Sequence, residues 1–217
     1  MSETAALSHG DPYALGRGHG AATGHGAGGP ASKRIITGYG FWIFLLSDIV
    51  MFSALFATYA VLVDRTADGP SGKDLFDLSS AAAETGFLLV SSFACGLASI
   101  AASARSQRWF YVAMAATCIL GLGFLALEIS EFARFIREGN GPTRSAFLSA
   151  FFTLVGCHGL HVSAGILWLL TMIAQVFAKG FRADIMRRIL CFALFWHALD
   201  IIWVAVFSVV YLLGSAI

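Results

Sequence analysis

The chain has 217 residues, of which 58% are apolar and only 12% charged, and its formal net charge is +1. So little charge on a chain of this length excludes an ordinary soluble domain and defines a polytopic membrane protein. No basic face suited to nucleic acid is present, and the near-zero net charge conceals a segregation of charged residues into short segments between long apolar runs.

Residues Met1 to Ser32 are rich in Gly, Ala and His and nearly free of large apolar side chains. Such a segment cannot bury enough surface to order itself, and the expectation is a disordered cytoplasmic tail. Its His9, His19 and His25 are too loosely spaced for a defined metal site, and a solvated tail is favoured over copper or nickel binding. The tail lacks the apolar core and small-residue cleavage pattern of a signal peptide.

From Lys33 to Ile217 the pattern predicts an all-α integral membrane bundle of five transmembrane helices. The first span runs from about Gly38 to Val63 and carries Asp48. The second, about Ser80 to Ala104, carries Glu84 and a ridge of small residues, Ser92, Gly96, Ser99 and Ser103, at spacings that suit tight helix contact in lipid. The third, about Trp109 to Phe132, ends in LEISEF and sets Glu128 and Glu131 three residues apart. The fourth, about Phe147 to Ala178, holds His158 and His161 on one helical face among Gly156, Gly159 and Gly165, which leave room for close neighbours. The chain is expected to be organised around this long run. The fifth, about Ile189 to Ile217, carries His197 and Asp200 in FWHALDIIW. Cys95, Cys118, Cys157 and Cys191 lie one to a helix and read as packing residues. Lys and Arg are nine against five in favour of an inner amino terminus and an outer carboxyl terminus.

Ionisable residues cost about 2.5 to 3.5 kcal/mol each at the centre of a span on insertion scales. Asp48, Glu84, Glu128, His158, His161, His197 and Asp200 are therefore expected to face the bundle. Counting along the helices places Asp48 level with His197 and Asp200, so that Asp48 is either paired with His197, protonated or hydrated. Glu84 and Glu128 fall nearer the outer side, where Glu84 can reach water or headgroups; Glu131 sits at the boundary, and the histidines of the fourth span lie between the two levels. His158 and His161 read either as metal or haem ligands or as hydrogen-bonded structural histidines, with the second favoured because further ligands would have to be carboxylates from other helices. His197 with Asp200 reads as a structural pair or a proton relay. Trp42, Trp109, Trp168, Trp196 and Trp203 serve packing and interfacial anchoring. With no phosphate loop, no activated serine and no dinucleotide fingerprint, the residues point away from a self-contained catalyst.

Several segments together carry a resemblance: GFWIFLLSDIVMFSALFATYAVL, GPSGKDLFDL, LEISEF, GPTRSAFLSAFFTLVGCHGLHV and FWHALDIIWVAVFSVVYLLG. In order and spacing the chain from about Gly38 onward resembles subunit III of the haem-copper terminal oxidases, most closely that of bacterial cytochrome o ubiquinol oxidases. The resemblance implies a non-catalytic subunit of a proton-pumping complex of the bacterial inner membrane, which oxidises ubiquinol and reduces oxygen to water. Subunit I would hold the haems and copper, subunits II and IV would be further partners, and this chain would hold phospholipid and support assembly and proton uptake. Asp48 matches the family's buried first-bundle carboxylate, usually glutamate in cytochrome c oxidases, His158 and His161 match its HGLH, and His197 and Asp200 its WHxxD. The Asp at 48 and the absence of two additional amino-terminal helices favour the quinol-oxidising branch. Competing readings are an independent proton or ion transporter, disfavoured by unbroken spans without an inverted repeat, a haem or copper protein using His158 and His161, and the related accessory subunit of a cytochrome c oxidase or nitric oxide reductase.

Overall fold

A computed structural model describes residues 33–215, and the histidine-bearing tail expected to be disordered lies outside them. Six helices follow in order: α1 (Lys33–Leu62), a single turn α2 (Gly72–Leu75), α3 (Leu78–Ser103), α4 (Gln107–Arg137), α5 (Ala146–Lys179) and α6 (Ala183–Val206), which continues as a π-helical turn over Phe207–Leu212. Among the described residues there is no strand. Five of the helices, all but α2, are long and apolar enough to cross a membrane, as the hydropathy pattern requires.

Helix ends are set by local chemistry rather than by the edges of the apolar runs. The third span was expected to stop near Phe132, yet α4 continues to Arg137. Nothing between the two breaks a helix, Phe135 is fully buried, and Arg134 and Arg137 suit the negative end of the helix dipole. The stop comes from a Schellman motif: Asn140 N–H donates to Phe135 O at 2.8 Å and Gly139 N–H to Ile136 O at 3.1 Å, with Gly139 at φ 78°. The same motif closes α3, where Arg105 takes the left-handed position at φ 55° and Ser106 N–H donates to Ala101 O at 3.0 Å. That turn is so short that α3 and α4 must pack as an antiparallel hairpin. Likewise α6 begins at Ala183, earlier than expected, because Arg187 and Arg188 interrupt the hydropathy but not the helix.

Two side-chain caps start the other helices. Asp77 accepts from Ser79 N–H at 3.0 Å and from the Ser79 hydroxyl at 2.7 Å, and these bonds hold its carboxyl below the usual carboxylate range. Ser145 accepts from Leu148 N–H at 3.1 Å at the start of α5.

The core is lined by α5 and α6 together, so the fourth apolar run is central as expected, while the most enclosed apolar window belongs to α6. Of the most apolar window of each span, 56% is buried in α6, 33% in α5 and 11% in α1. Trp196 of α6 is the pivot: Cβ atoms added at Gly121 of α4 and Gly165 of α5 would lie 3.0 and 2.9 Å from its ring, so both neighbours approach only because they lack one. By contrast α1 presents a narrow buried stripe of Leu45, Phe52 and Tyr59, seven residues apart, to α5 and α6. On α3 the ridge expected to make tight contacts is only half used. Ser92 meets α6, but a Cβ added at Gly96 would meet nothing within 4 Å, because α3 turns Ala94, Ala98, Ala101 and Ala102 inward instead.

Candidate functional site

The polar residues of the spans fall into three groups. The first lies toward the α3 amino terminus and the α4 carboxyl terminus, where Glu84, Glu128 and Glu131 are all buried. Glu131 Oε2 accepts from the hydroxyl of Tyr211, in the π-helical turn, at 2.7 Å, and its Oε1 lies 3.6 Å from the Arg134 guanidinium. Glu128 is pressed against the backbone of α5: a Cβ at Gly159 would come within 2.7 Å of Glu128 Oε2. Glu84 is 1% exposed and neither carboxyl oxygen has a hydrogen-bond partner, which overturns the expectation that it reaches water or headgroups. Its position near the end of a span suggested access to the interface. The side chain instead points between α3, α4 and the π-helical turn, within electrostatic reach of Glu131 and Glu128. Next to it, Thr85 accepts from Trp203 Nε1–H at 3.1 Å and so ties α3 to α6.

The second group separates the two histidines of α5. His158 is completely buried in an aromatic cage, with ring centroids 5.1 Å from Trp203, 5.7 Å from Phe124 and 6.2 Å from Phe52, and neither ring nitrogen has a hydrogen-bond partner. His161 turns back on its own helix, its Nδ1 donating to Cys157 O at 2.7 Å, and lies 5.3 Å from the Phe52 ring. Three residues apart, they share the Phe52 ring as a neighbour but no polar partner. Among the described residues no group of three or more His, Cys, Asp and Glu converges where a metal ion could sit. Asp48, half-buried on α1, lies within electrostatic reach of Cys157 beside these rings.

The third group joins α3 to α6. Ser92 Oγ lies 2.7 Å from His197 Nδ1, and the Asp200 carboxyl comes within hydrogen-bonding reach of the same hydroxyl. The partner of His197 is therefore this serine on α3, and not Asp48 on α1. One residue back on each helix, Trp196 Nε1–H donates to Ser91 Oγ at 3.0 Å. These hydroxyls supply hydrogen bonds across helices without a full charge, the cheapest polar contact in lipid. Reasoning from sequence found the ionisable members and missed Ser92, Thr85, Glu131 as a buried residue, and Tyr211. The ridge at Ser92 and the three-residue step from Glu128 to Glu131 were the available signals.

Chemically the interior of the described residues is a set of cross-helix ties and aromatic cages, and even the Ser92 hydroxyl beside His197 serves as one of these ties. A long α-helical bundle of this kind, with His158 of its HGLH run fully enclosed and the WHxxD residues tied to α3, is an integral membrane protein. The family pattern described as cytochrome c oxidase subunit III matches residues 21–215, and the chain belongs to that family. It is 52% identical to the cytochrome bo(3) ubiquinol oxidase subunit 3 of Pseudomonas aeruginosa over 82% of this chain and 86% of the relative. It is 41% identical to the quinol oxidase subunit 3 of Bacillus subtilis (81% and 86% covered) and 42% identical to the cytochrome c oxidase subunit 3 of Bacillus sp. PS3 (81% and 84% covered).

Proposed function

We propose that this chain is the non-catalytic subunit III of a proton-pumping ubiquinol oxidase in a bacterial inner membrane, with its amino terminus cytoplasmic and its carboxyl terminus periplasmic. Within that complex ubiquinol is oxidised and oxygen reduced to water on subunit I, which carries the haems and copper, with subunits II and IV as further neighbours. The chain stabilises subunit I, orders phospholipid along its faces and supports proton uptake. Asp48, Glu84, Glu128, His158, His161, His197 and Asp200 act in this reading as a buried polar network that fixes the helices against one another. The observation that carries the reading is the 52% identity, spread over 82% of the chain, to a subunit named for ubiquinol oxidation. It is supported by a polar interior whose bonds run between helices. The relatives favour this reading over an independent transporter.

The test is affinity purification of the tagged chain from its own membranes in mild detergent. Haem-bearing subunits are expected to co-purify, and the preparation should oxidise ubiquinol. Recovery of the chain alone would refute the reading. The likeness to a cytochrome c oxidase subunit 3 supports one alternative donor, and oxidation of reduced cytochrome c in place of ubiquinol by the same preparation would decide for it.

A further inference from the structure

The end of the bundle where α3 closes and α6 begins is strongly basic. Among the described residues Arg105, Arg108, Lys179, Arg182, Arg187 and Arg188 lie there against a single acid, Asp184, which is already 3.8 Å from Arg182 Nε. Arg188 donates to Gln175 Oε1 at 2.8 Å. The guanidinium groups of Arg105 and Arg187 have no ion pair or hydrogen bond among the described residues, and the two line a concavity of about 400 Å³ with Ala102, Ser103, Ala183 and Met186. Basic residues that merely orient a chain need no pocket, and these two have one. The first-turn N–H groups of α6 add to it, because Arg182 at the cap position makes no side-chain bond to them and Ala183 and Met186 bring that turn into the wall. The last carbonyls of α3 do not compete, since the Arg105 and Ser106 N–H groups take them in the turn. Two unpaired guanidiniums beside a helix amino terminus suit an anion with several acceptor oxygens, such as a phosphate.

Toward the middle of the membrane the same junction turns apolar. One turn below Ser103, Ile100 opens a cleft of about 360 Å³ between α3 and α6, walled by Leu89, Phe93, Leu97 and Ile100, with an almost wholly apolar exposed lining. From Ile100 to Leu89 the helix rises about 16 Å, close to half of a hydrocarbon core of ~30 Å. That is the depth filled by the acyl chains of one leaflet. An anion is thus wanted at the mouth and hydrocarbon beneath it, whereas free phosphate would leave the cleft empty. The headgroup charge is selected as well. A zwitterionic headgroup would bring its ammonium among the remaining cations of this end, where the one acid, Asp184, is held by Arg182. We propose that Arg105 and Arg187 bind the phosphate of an anionic phospholipid whose acyl chain lies in the cleft between α3 and α6. The inference rests on the lipid-holding role proposed above and gives it a place and a headgroup class.

The test is native mass spectrometry of the tagged complex, purified from its own membranes in mild detergent and washed free of loosely held lipid. This chain, released by collision, should carry one phospholipid. On titration it should retain phosphatidylglycerol at lower concentration than phosphatidylcholine, and inorganic phosphate should not displace the lipid. Arg105→Gln combined with Arg187→Gln removes both charges at similar size and should weaken phosphatidylglycerol binding roughly thirtyfold. Gly96→Leu fills the cleft at a position where an added Cβ meets nothing within 4 Å, and should weaken binding without touching either arginine. Arg188→Gln, outside the concavity, should change it least. Equal retention of the two lipids, displacement by inorganic phosphate, unchanged binding in the double variant or in Gly96→Leu, an equal loss in Arg188→Gln, or a bare chain released from a complex that keeps its haem would each overturn the proposal. The headgroup comparison uses the native chain, so a folding defect in a variant does not leave the question open. A chain that carries the lipid but never haem would instead defeat the oxidase assignment and leave the site standing.

Discussion

Helices α1 and α6 are almost equally apolar, with mean hydropathy 1.9 and 2.1 in their best windows, yet 11% of one window and 56% of the other is buried within the chain. Hydropathy records that both leave water; it does not record what they meet. For α6 the answer is the rest of this chain, through Trp196, Trp203 and His197, each tied or wedged against another helix. For α1 it is a single stripe of three residues, with Ile43, Val50 and Val61 left facing outward. The central helix should therefore be intolerant of change in size, and the peripheral one tolerant of change in charge.

The largest effect is expected where a side chain is forced into the central contacts. Gly159→Leu would drive a branched side chain into the Glu128 carboxyl and part α4 from α5. The chain should then be missing from detergent-purified complex on an immunoblot, and normal recovery would show that this interface is slack. Trp196→Ala removes the ring held between Gly121 and Gly165 and should destabilise by about 3 to 5 kcal/mol, measured by detergent titration of the unfolding midpoint. A smaller loss is expected from Ser145→Ala at the α5 cap, about 1 kcal/mol by the same titration. On the peripheral helix, Asp48→Asn should leave oxygen consumption by the assembled complex largely intact, and loss of haem reduction in that complex would make α1 central after all.

One pH effect concerns the surface and should be the least of these. The Asp77 carboxyl is held below its usual value of 3.8 by hydrogen bonds from Ser79. Its contribution to α3 is thus fully present above that value and is lost as pH falls through the lowered one. The difference in melting temperature between the native chain and Asp77→Asn should stay constant around neutrality and shrink once acidification passes below the ordinary carboxylate value.

Much of this architecture was legible because a span is a long, simple signal: some 20 apolar residues need no knowledge of neighbours. The site was legible only in its ionisable members. His158 and His161 occupy the same face of α5 by spacing, but one enters a cage of Trp203 and Phe124 and the other bonds back to Cys157 O, a difference set by rings on other helices. Glu84 faces the bundle as expected, and only the reach to water or headgroups allowed for it fails, for a similar reason. Position along a span gives depth, whereas exposure depends on the direction in which the helix is turned, and α3 turns this carboxyl inward. His197 and Asp200 were singled out as a pair, and both meet the hydroxyl of Ser92, which carries no charge and looked like one more small residue of a packing ridge. Glu131 was assigned to the boundary because the apolar run ends there, while α4 does not end until the turn at Gly139.

The interior of this chain is taken to lock helices together and to hold no redox centre of its own, and the most direct measurement separates it from its neighbours. The tagged chain is released from the purified oxidase by a harsher detergent, and haem absorbance and copper content are measured in both fractions. All haem and copper should remain with the depleted oxidase, together with residual oxygen reduction, while the released chain is colourless. Haem or copper travelling in fixed ratio with the released chain would contradict the assignment outright.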